Sequence, residues 1–299
     1  MTPRHPAPYP RYVIARLAMW LNAERRGLGR PLRVLDPMAG IGHIHDLPRS
    51  LVSETVGVEL EPEWAHARPG TIVGDATALP EDWTGMFDAV VVSPYYGNRM
   101  SDHHEARDSC PECVGTGSAW VADGCADAPW LCPDCRNIEC ACGGIGRVMK
   151  EHVAVCSACR VRRCKTCGGS GLSRRYTYTH ALGRKLSPNN AGQMHWPSSS
   201  YLTLHKSAWA EAWRVLRPAT KTEPAGIMLC NVKNHLRKVN GELVEQYVTE
   251  WHTRTLTDTG FKIGAVDSFT APGLRHGANR GVRTMNEHII AGRKIAATP

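Results

Sequence analysis

The apolar positions of this chain change their spacing several times, and the changes mark out its elements. Between Pro10 and about Arg26, the residues Val13, Leu17, Trp20 and Leu21 recur at helical intervals. That spacing predicts an amphipathic helix, with Gly27 and Gly29 closing it. Short apolar runs follow at 33–35, 55–58, 71–73 and 87–92, each with turn residues behind it, and they read as buried strands. A helix is expected over 201–216, a buried strand over 226–232, and another helix over about 243–259, stopping at Gly260. Strand candidates at 262–268 and 288–291 complete the pattern. Strands alternating with helices predict an α/β architecture with a mainly parallel sheet covered on both faces. Such a sheet takes its ligands outside the carboxyl ends of the strands. The stretch 110–170 follows neither period and reads as an inserted subdomain.

With 299 residues the chain can bury a substantial core. Its 42% hydrophobic and 21% charged residues exclude a disordered polymer. No apolar run approaches the roughly 20 residues needed to cross a bilayer. The opening Met1-Thr2-Pro3 lacks the charged and apolar regions of a signal peptide, so the expected location is intracellular, in the cytoplasm. A net charge of +8 biases the chain toward polyanionic partners without specifying one. The cysteines say more. All but Cys230 of the twelve lie between Cys110 and Cys167, and crowded CxxC pairs in a reducing compartment point to metal rather than disulfides.

Chemistry gathers at three strand ends. Asp36-Pro37-Met38-Ala39-Gly40-Ile41-Gly42 follows the first strand, and its glycines let the backbone turn sharply and approach a ligand. The second strand ends in Gly57-Val58-Glu59, where an acid can bind both hydroxyls of a ribose. The third ends in Gly74-Asp75-Ala76, where an acid can accept from an adenine amino group. Together they predict a nucleoside pocket. A dinucleotide site is disfavoured because Ile44 and His45 stand where a third glycine is expected. Here the chain resembles the class I S-adenosylmethionine-dependent methyltransferases, and Asp36–Gly42 is similar to their DPFxGxG motif. The resemblance implies a Rossmann-like fold with a mainly parallel seven-stranded sheet. It also implies that Asp36 and Gly40 line the methionine end, that Glu59 holds the ribose, that Asp75 faces the adenine, and that Pro37, Ala39, Gly42 and Ala76 belong to the same cofactor site.

After the fourth strand stands Ser93-Pro94-Tyr95-Tyr96. It resembles the (D/N/S)PP(Y/F) motif of amino-methyltransferases, in the serine form found in many N4-cytosine enzymes. An exocyclic amine is conjugated with its ring and is a poor nucleophile. Hydrogen bonds from it to the Ser93 oxygen and the Pro94 carbonyl would localise its lone pair, while Tyr96 stacks on a flipped base. The resemblance implies direct in-line methyl transfer to DNA, at cytosine N4 ahead of adenine N6. Tyr95 replaces the motif's second proline, which predicts a looser loop. Carbon-5 methylation is disfavoured because this loop has no cysteine nucleophile. Asn98, Arg99, His103 and His104 follow and are candidates for DNA or base contacts. The helix at 208–218 also looks like that of these enzymes. Met194-His195-Trp196, Arg275–Arg280 and Asn286-Glu287-His288 are similar to methylases encoded by bacteriophages, which implies a host cytoplasm. RNA or protein methylation on the same fold stays open, as does an inactive zinc-dependent module that binds nucleic acid or polypeptide.

In the inserted segment, Cys110/Cys113, Cys132/Cys135, Cys156/Cys159 and Cys164/Cys167 form four CxxC pairs, enough thiolates for two tetrahedral Zn2+ ions. An iron–sulfur cluster is the lesser alternative. The first and last pairs, each continuing as CxxCxGxG, are similar to the knuckles of Hsp40-type co-chaperones. That resemblance implies first-with-last pairing, leaving the inner two pairs together. Cys140 and Cys142 form a broken knuckle that could replace an inner pair, and Cys125 is spare. Zinc supplies folding energy that a short apolar-poor segment lacks. With Arg160, Arg162, Arg163 and Lys165 nearby, the segment is a candidate for DNA recognition, with stability alone as the other role. The expected division is therefore 1–109 and 172–299 for the methyltransferase-like core and 110–171 for the zinc-binding insertion. Oligomeric state is not legible.

Overall fold

The computed structural model describes residues 9–95, 184–270 and 286–295, the single residues Leu182 and Thr284, and four short strands between 105 and 174. The chain divides into two compact units, 1–102 with 177–299, and 103–176. In the first unit seven strands form one sheet: β1 (Leu32–Asp36), β2 (Val52–Glu59), β3 (Thr71–Val73), β4 (Ala89–Val92), β5 (Ile227–Val232), β6 (Phe261–Thr270) and β7 (Asn286–Lys294). Their order is β6-β7-β5-β4-β1-β2-β3. The pairs from β3 through β5 are parallel, and β7 runs antiparallel to both of its neighbours. An α/β fold with a mostly parallel seven-stranded sheet is therefore observed.

The inner strands are apolar because both of their faces are covered. β4 is Ala-Val-Val-Val and is buried throughout, as is all of β5. Alternate residues feed two cores. On one side, Ala89, Val91, Ile227 and Leu229 pack with Val13, Leu17 and Leu21 of α1 (Arg11–Leu28). On the other, Val90, Val92, Met228, Cys230 and Val232 pack with Ala208, Trp209, Ala212 and Val215 of the long helix after the insertion, and with Leu256. α1 runs through Gly27 and stops at Gly29, whose φ of 67° is cheap only without a side chain. At the amino end of β4, Asp88 accepts from the Arg30 and Arg217 guanidiniums and the Arg33 N–H, fastening that end of the sheet.

Two expectations need correction. The connections between β1 and β4 carry only a one-turn helix, α2 (Pro62–Ala65), and 3-10 turns, so full strand–helix alternation begins only after the insertion. There α3 (Ser199–Val215), capped by Ser198, precedes β5, and α4 (Val248–Thr259) precedes β6. The expected start of α4 near Leu243 is instead the second leg of a hairpin, His235–Val239 with Glu242–Gln246, turning at Asn240-Gly241. An Asn-Gly pair between strands favours this tight turn over continued helix.

In the second unit, Glu105–Ser109 pairs antiparallel with Leu172–Arg174, and Ser118–Val121 pairs antiparallel with Arg160–Arg163. Among the described residues no helix is long and apolar enough to cross a membrane.

α3 and α4 join through a polar core. Trp209 Nε1–H donates to His252 Nδ1 (3.2 Å), so the His252 proton sits on Nε2 and donates to the Tyr201 hydroxyl (2.9 Å). His205 Nδ1–H donates to the Tyr201 carbonyl (2.8 Å), and both imidazoles are fully buried. Burial pushes the His205 pKa down to about 4, despite the Tyr201 carbonyl, and holds His252 well below the usual range, helped by His205. Below about pH 6.5 the unfolded chain takes up protons that the folded chain refuses, so stability falls with pH from there to about 4. His205 alone accounts for roughly 3 kcal/mol of this loss. Thermal unfolding across pH 7.5 to 4.5 checks it, with His205→Leu expected to show a shallower decline than the native chain.

Candidate functional site

Chain order reverses beside β1. The chain moves outward from β1 to β3 and then returns to β4 on the other flank, opening a crevice at the carboxyl ends of β1 and β4. Asp36 and Ser93 stand on its two sides, Glu59 and Asp75 at the next strand ends, and Asn231 near the end of β5. The sequence-expected cofactor residues and two of the three catalytic ones thus share one edge of the sheet. Tyr96, Asn98, Arg99, His103, His104 and Arg275–Arg280 lie outside the described residues, as do all eight proposed zinc-binding cysteines. Among the described residues no group of three or more His, Cys, Asp or Glu is arranged to hold a metal.

The turn after β1 is built by close approach. The Ala39 N–H donates to the Val58 carbonyl (2.9 Å) and the Gly40 N–H to Glu59 Oε2 (2.9 Å), tying the turn to β2. The Glu61 N–H donates to the other oxygen, Oε1 (2.9 Å). A side-chain carbon at Gly57 would lie 2.7 Å from Thr71 Oγ1 and 2.9 Å from Ala39 Cβ. Gly42 sits at φ +75°, and a carbon there would meet Thr71 Oγ1 at 2.8 Å and the His45 ring at 2.9 Å. His45 itself spans Thr55 Oγ1 (2.7 Å) and Thr71 Oγ1 (2.9 Å), bracing the turn from behind. That role, and not the place of a third glycine, is what His45 fills. Pro37 is buried, and Ala76 packs its methyl group in the core beside Leu79.

Two acids here are displaced from their ordinary range. Burial pushes Asp36 up to about 7 against the pull of the Met38 N–H and the Tyr9 hydroxyl, and the Glu59 charge adds to the rise. Burial likewise lifts Glu59 to about 7, opposed by the Glu61 and Gly40 N–H groups. Asp75 goes the other way. Burial works to raise it, but Asn189 Nδ2 (3.0 Å) and the Thr77 N–H and hydroxyl (2.8 and 2.7 Å) hold it below the usual carboxylate range.

Sequence reasoning missed a second acid, Glu61. Fully buried, it accepts from the Ser187 N–H (2.8 Å), Ser187 Oγ (3.1 Å), Asn190 Nδ2 (2.8 Å) and the Arg184 guanidinium (2.7 Å). Arg184 also pairs with Glu63. The segment 184–190 is thereby bound over the ends of β2 and β3. Beneath it, Trp64 and Leu186 pack with Ile41, Tyr95 and Leu182. Tyr95, which stands where the motif has its second proline, is packed in this cluster; the loop that follows it lies outside the described residues. The Ser93-Pro94 step lies between this cluster and Asn231, whose Nδ2 donates to Ser93 Oγ (3.1 Å). The strand-end position of Glu61, two residues after Glu59, was the signal available; its partners lie more than a hundred positions away.

No protein-family model matches the chain, and the comparison with curated proteins found no match. Among solved structures it is similar to a 1,6-didemethyltoxoflavin-N1-methyltransferase of Burkholderia thailandensis, at 14% identity over 98% of this chain and 94% of that one, with a TM-score of 0.38. It is also similar to the 4+2 cyclase SpnF, at 12% identity, 98% and 85% coverage, and a TM-score of 0.44. A third is a SAM-dependent methyltransferase of Methanosarcina mazei, at 9%, 89% and 93%, and 0.38. At such values these likenesses carry no weight for chemistry, which rests on the chain's own strand order and side chains.

The turn's tight fit gives a direct test. Gly42→Ala adds a clash and an unfavourable φ and is expected to cost about 2 kcal/mol. Chemical denaturation should show that loss, and an unchanged midpoint would contradict the packing described.

Proposed function

We propose that this chain is an S-adenosylmethionine-dependent methyltransferase acting on an exocyclic amino group of a DNA base, cytosine N4 ahead of adenine N6. The observation that carries the reading is the shared edge: the glycine turn with Asp36, Glu59 at the end of β2, Asp75 past β3, and Ser93-Pro94 past β4 flank one crevice. S-adenosylmethionine supplies an electrophilic methyl on a sulfonium sulfur.

The residues suit that group. Gly42 and Gly57 let the turn pack directly against Thr71, His45 and Ala39, which holds its backbone in place at the strand ends. Glu59 uses one lone pair on each oxygen for Gly40 and Glu61 and keeps others with which to accept from ribose hydroxyls. Asp36, raised to about 7 while alone with its neighbours, gains an opposite charge when a cationic amino acid moiety sits beside the turn. On the target side, Ser93 Oγ and the Pro94 carbonyl accept the hydrogens of the base amine and turn its lone pair toward the methyl. Tyr96 stacks on the base. Rate comes from alignment and needs no covalent intermediate.

DNA as the partner rests on the motif resemblance and on the net charge of +8. The second unit is read as a two-zinc module. Its ladders support first-with-last pairing of the knuckles: Ser109 pairs with Leu172 and Ser118 with Arg163, so segments 110–117 and 164–171, of equal length, are flanked on both sides by mutually paired strands. Cys110, Cys113, Cys164 and Cys167 then hold one zinc, and Cys132, Cys135, Cys156 and Cys159 the other. The basic strand Arg160–Arg163 offers phosphate contacts.

Labelled cofactor with duplex DNA, single-stranded DNA or RNA, followed by nucleoside identification, tests the reading. Label is expected in N4-methylcytosine of DNA; label in RNA alone, or none at all, defeats the assignment. Ser93→Ala and Tyr96→Ala should bind cofactor normally and lose most turnover. Cofactor affinity should be weaker at pH 6 than at pH 8 by roughly tenfold for each of Asp36 and Glu59 that binds in its ionised form, because both protonate across that window; a flat profile between those values counts against both roles. Metal analysis should return two zinc ions per chain, falling to about one in Cys164→Ser.

A further inference from the structure

Behind Ser93 lies a buried polar chain that the motif itself does not announce. Asn231 is fully buried near the end of β5, and its Nδ2 donates one hydrogen to Ser93 Oγ (3.1 Å) and the other to Glu287 Oε2 (3.1 Å). Glu287 comes from the start of β7. Asn231 is opposite Ile289 in the antiparallel register, so Glu287, two residues away, shares its face of the sheet. The other Glu287 oxygen, Oε1, accepts the Tyr12 hydroxyl of α1 (2.9 Å), with Lys233 Nζ at 3.9 Å. Three elements of the fold thus converge on one carboxylate, which is joined to Ser93 through the Asn231 amide.

The chemistry fixes a direction. A carboxylate oxygen only accepts, so the part of Asn231 facing Glu287 has to be its NH2 group. The second hydrogen of that group then goes to Ser93, which enters the bond as acceptor. An sp3 hydroxyl oxygen carries two lone pairs and one proton in fixed relative directions. With one lone pair taken by Asn231, the proton and the other lone pair are confined to the two remaining tetrahedral directions.

We propose that Asn231 and Glu287 are positioning residues that hold Ser93 Oγ where a lone pair of it can meet the amino group of the target base. This rests on the reading of Ser93 as the group that touches that amine. Asn231 selects the Ser93 rotamer, Glu287 selects the orientation of the Asn231 amide, and Tyr12 and Lys233 fix Glu287. A motif segment of three or four residues then depends on strands more than a hundred positions downstream.

A double-mutant cycle on the full chain tests it, with turnover on DNA, cofactor affinity and melting temperature measured for each variant. Asn231→Leu is expected to lower kcat about 30-fold, with cofactor affinity unchanged within about twofold. In the Ser93→Ala background the same substitution should cost nothing more, because the group it positions is gone. Glu287→Gln keeps an oxygen that accepts from Asn231 and should stay within about threefold of the native kcat, whereas Glu287→Met should fall as far as Asn231→Leu. Where Asn231→Leu does not fold, the cycle is run with Glu287→Met against Ser93→Ala. Losses that multiply in the double variant overturn the proposal, as does native turnover in Asn231→Leu or a parallel loss of cofactor affinity. Native turnover in Ser93→Ala overturns the underlying assignment of Ser93 instead, so the two failures are told apart.

Discussion

The carboxylate of Glu59 is the joint on which the functional edge is assembled. It is almost fully enclosed, and its two oxygens receive the N–H groups of Gly40, from the turn after β1, and Glu61, from the segment after β2. Through it the two strand ends share one hydrogen-bonded unit. The close approach this demands explains the glycines at 42 and 57, which stand against Thr71 where no side chain fits. Burying an acid so deeply is unfavourable, and the rise of Glu59 and Asp36 toward neutrality measures that cost. Strongly displaced acids in a crevice at a switch point are the kind of groups that gain from a ligand bearing hydroxyls or positive charge.

A second shell of contacts closes over this joint from a distant part of the chain. Glu61 receives Arg184, Ser187 and Asn190, and Asn189 bonds to Asp75. The same segment seats Leu186 against Trp64, with Ile41 of the glycine turn and Tyr95 of the Ser-Pro loop packed alongside. The glycine turn and the Ser93-Pro94 step are thereby joined in one packed cluster, Ile41 entering it from the first and Tyr95 from the second.

What was legible in the sequence followed from local rules. β4 and β5 announced themselves because strands covered on both faces must be apolar at every position. Glu59 and Asp75 stood out as acids directly after apolar runs. Residues whose meaning depends on distant partners were not legible. Glu61 reads as one more surface acid until Ser187 and Asn190 are brought to it, and Asn286-Glu287-His288 stands out as a segment without showing that Asn231 and Tyr12 bond to Glu287. The hairpin at 235–246 was lost for a different reason. Leu243 and the apolar residues of α4 happen to continue a helical spacing backwards, across what is the second leg of the hairpin that turns at Asn240-Gly241. The short links between β1 and β4 escaped notice because strand runs reveal their order but not what covers them.

The reversal of strand order divides the labour between the two flanks of β1. On the flank toward β2 and β3 the polar groups are strained: Asp36 and Glu59 hold pKa values near 7 and would be better satisfied with a partner added. On the flank toward β4, β5 and β7 the polar groups form a hydrogen-bonded chain from Tyr12 through Glu287 and Asn231 to Ser93. Strain suits binding, because a ligand that relieves it is held more tightly. A hydrogen-bonded chain suits alignment, because a group already fixed by its neighbours need not be ordered when a substrate arrives. One sheet edge can therefore carry a tight binding half and a rigid reacting half, provided the two meet where β1 and β4 are adjacent, and the parallel pairing of Leu35 with Val90 is what keeps them adjacent.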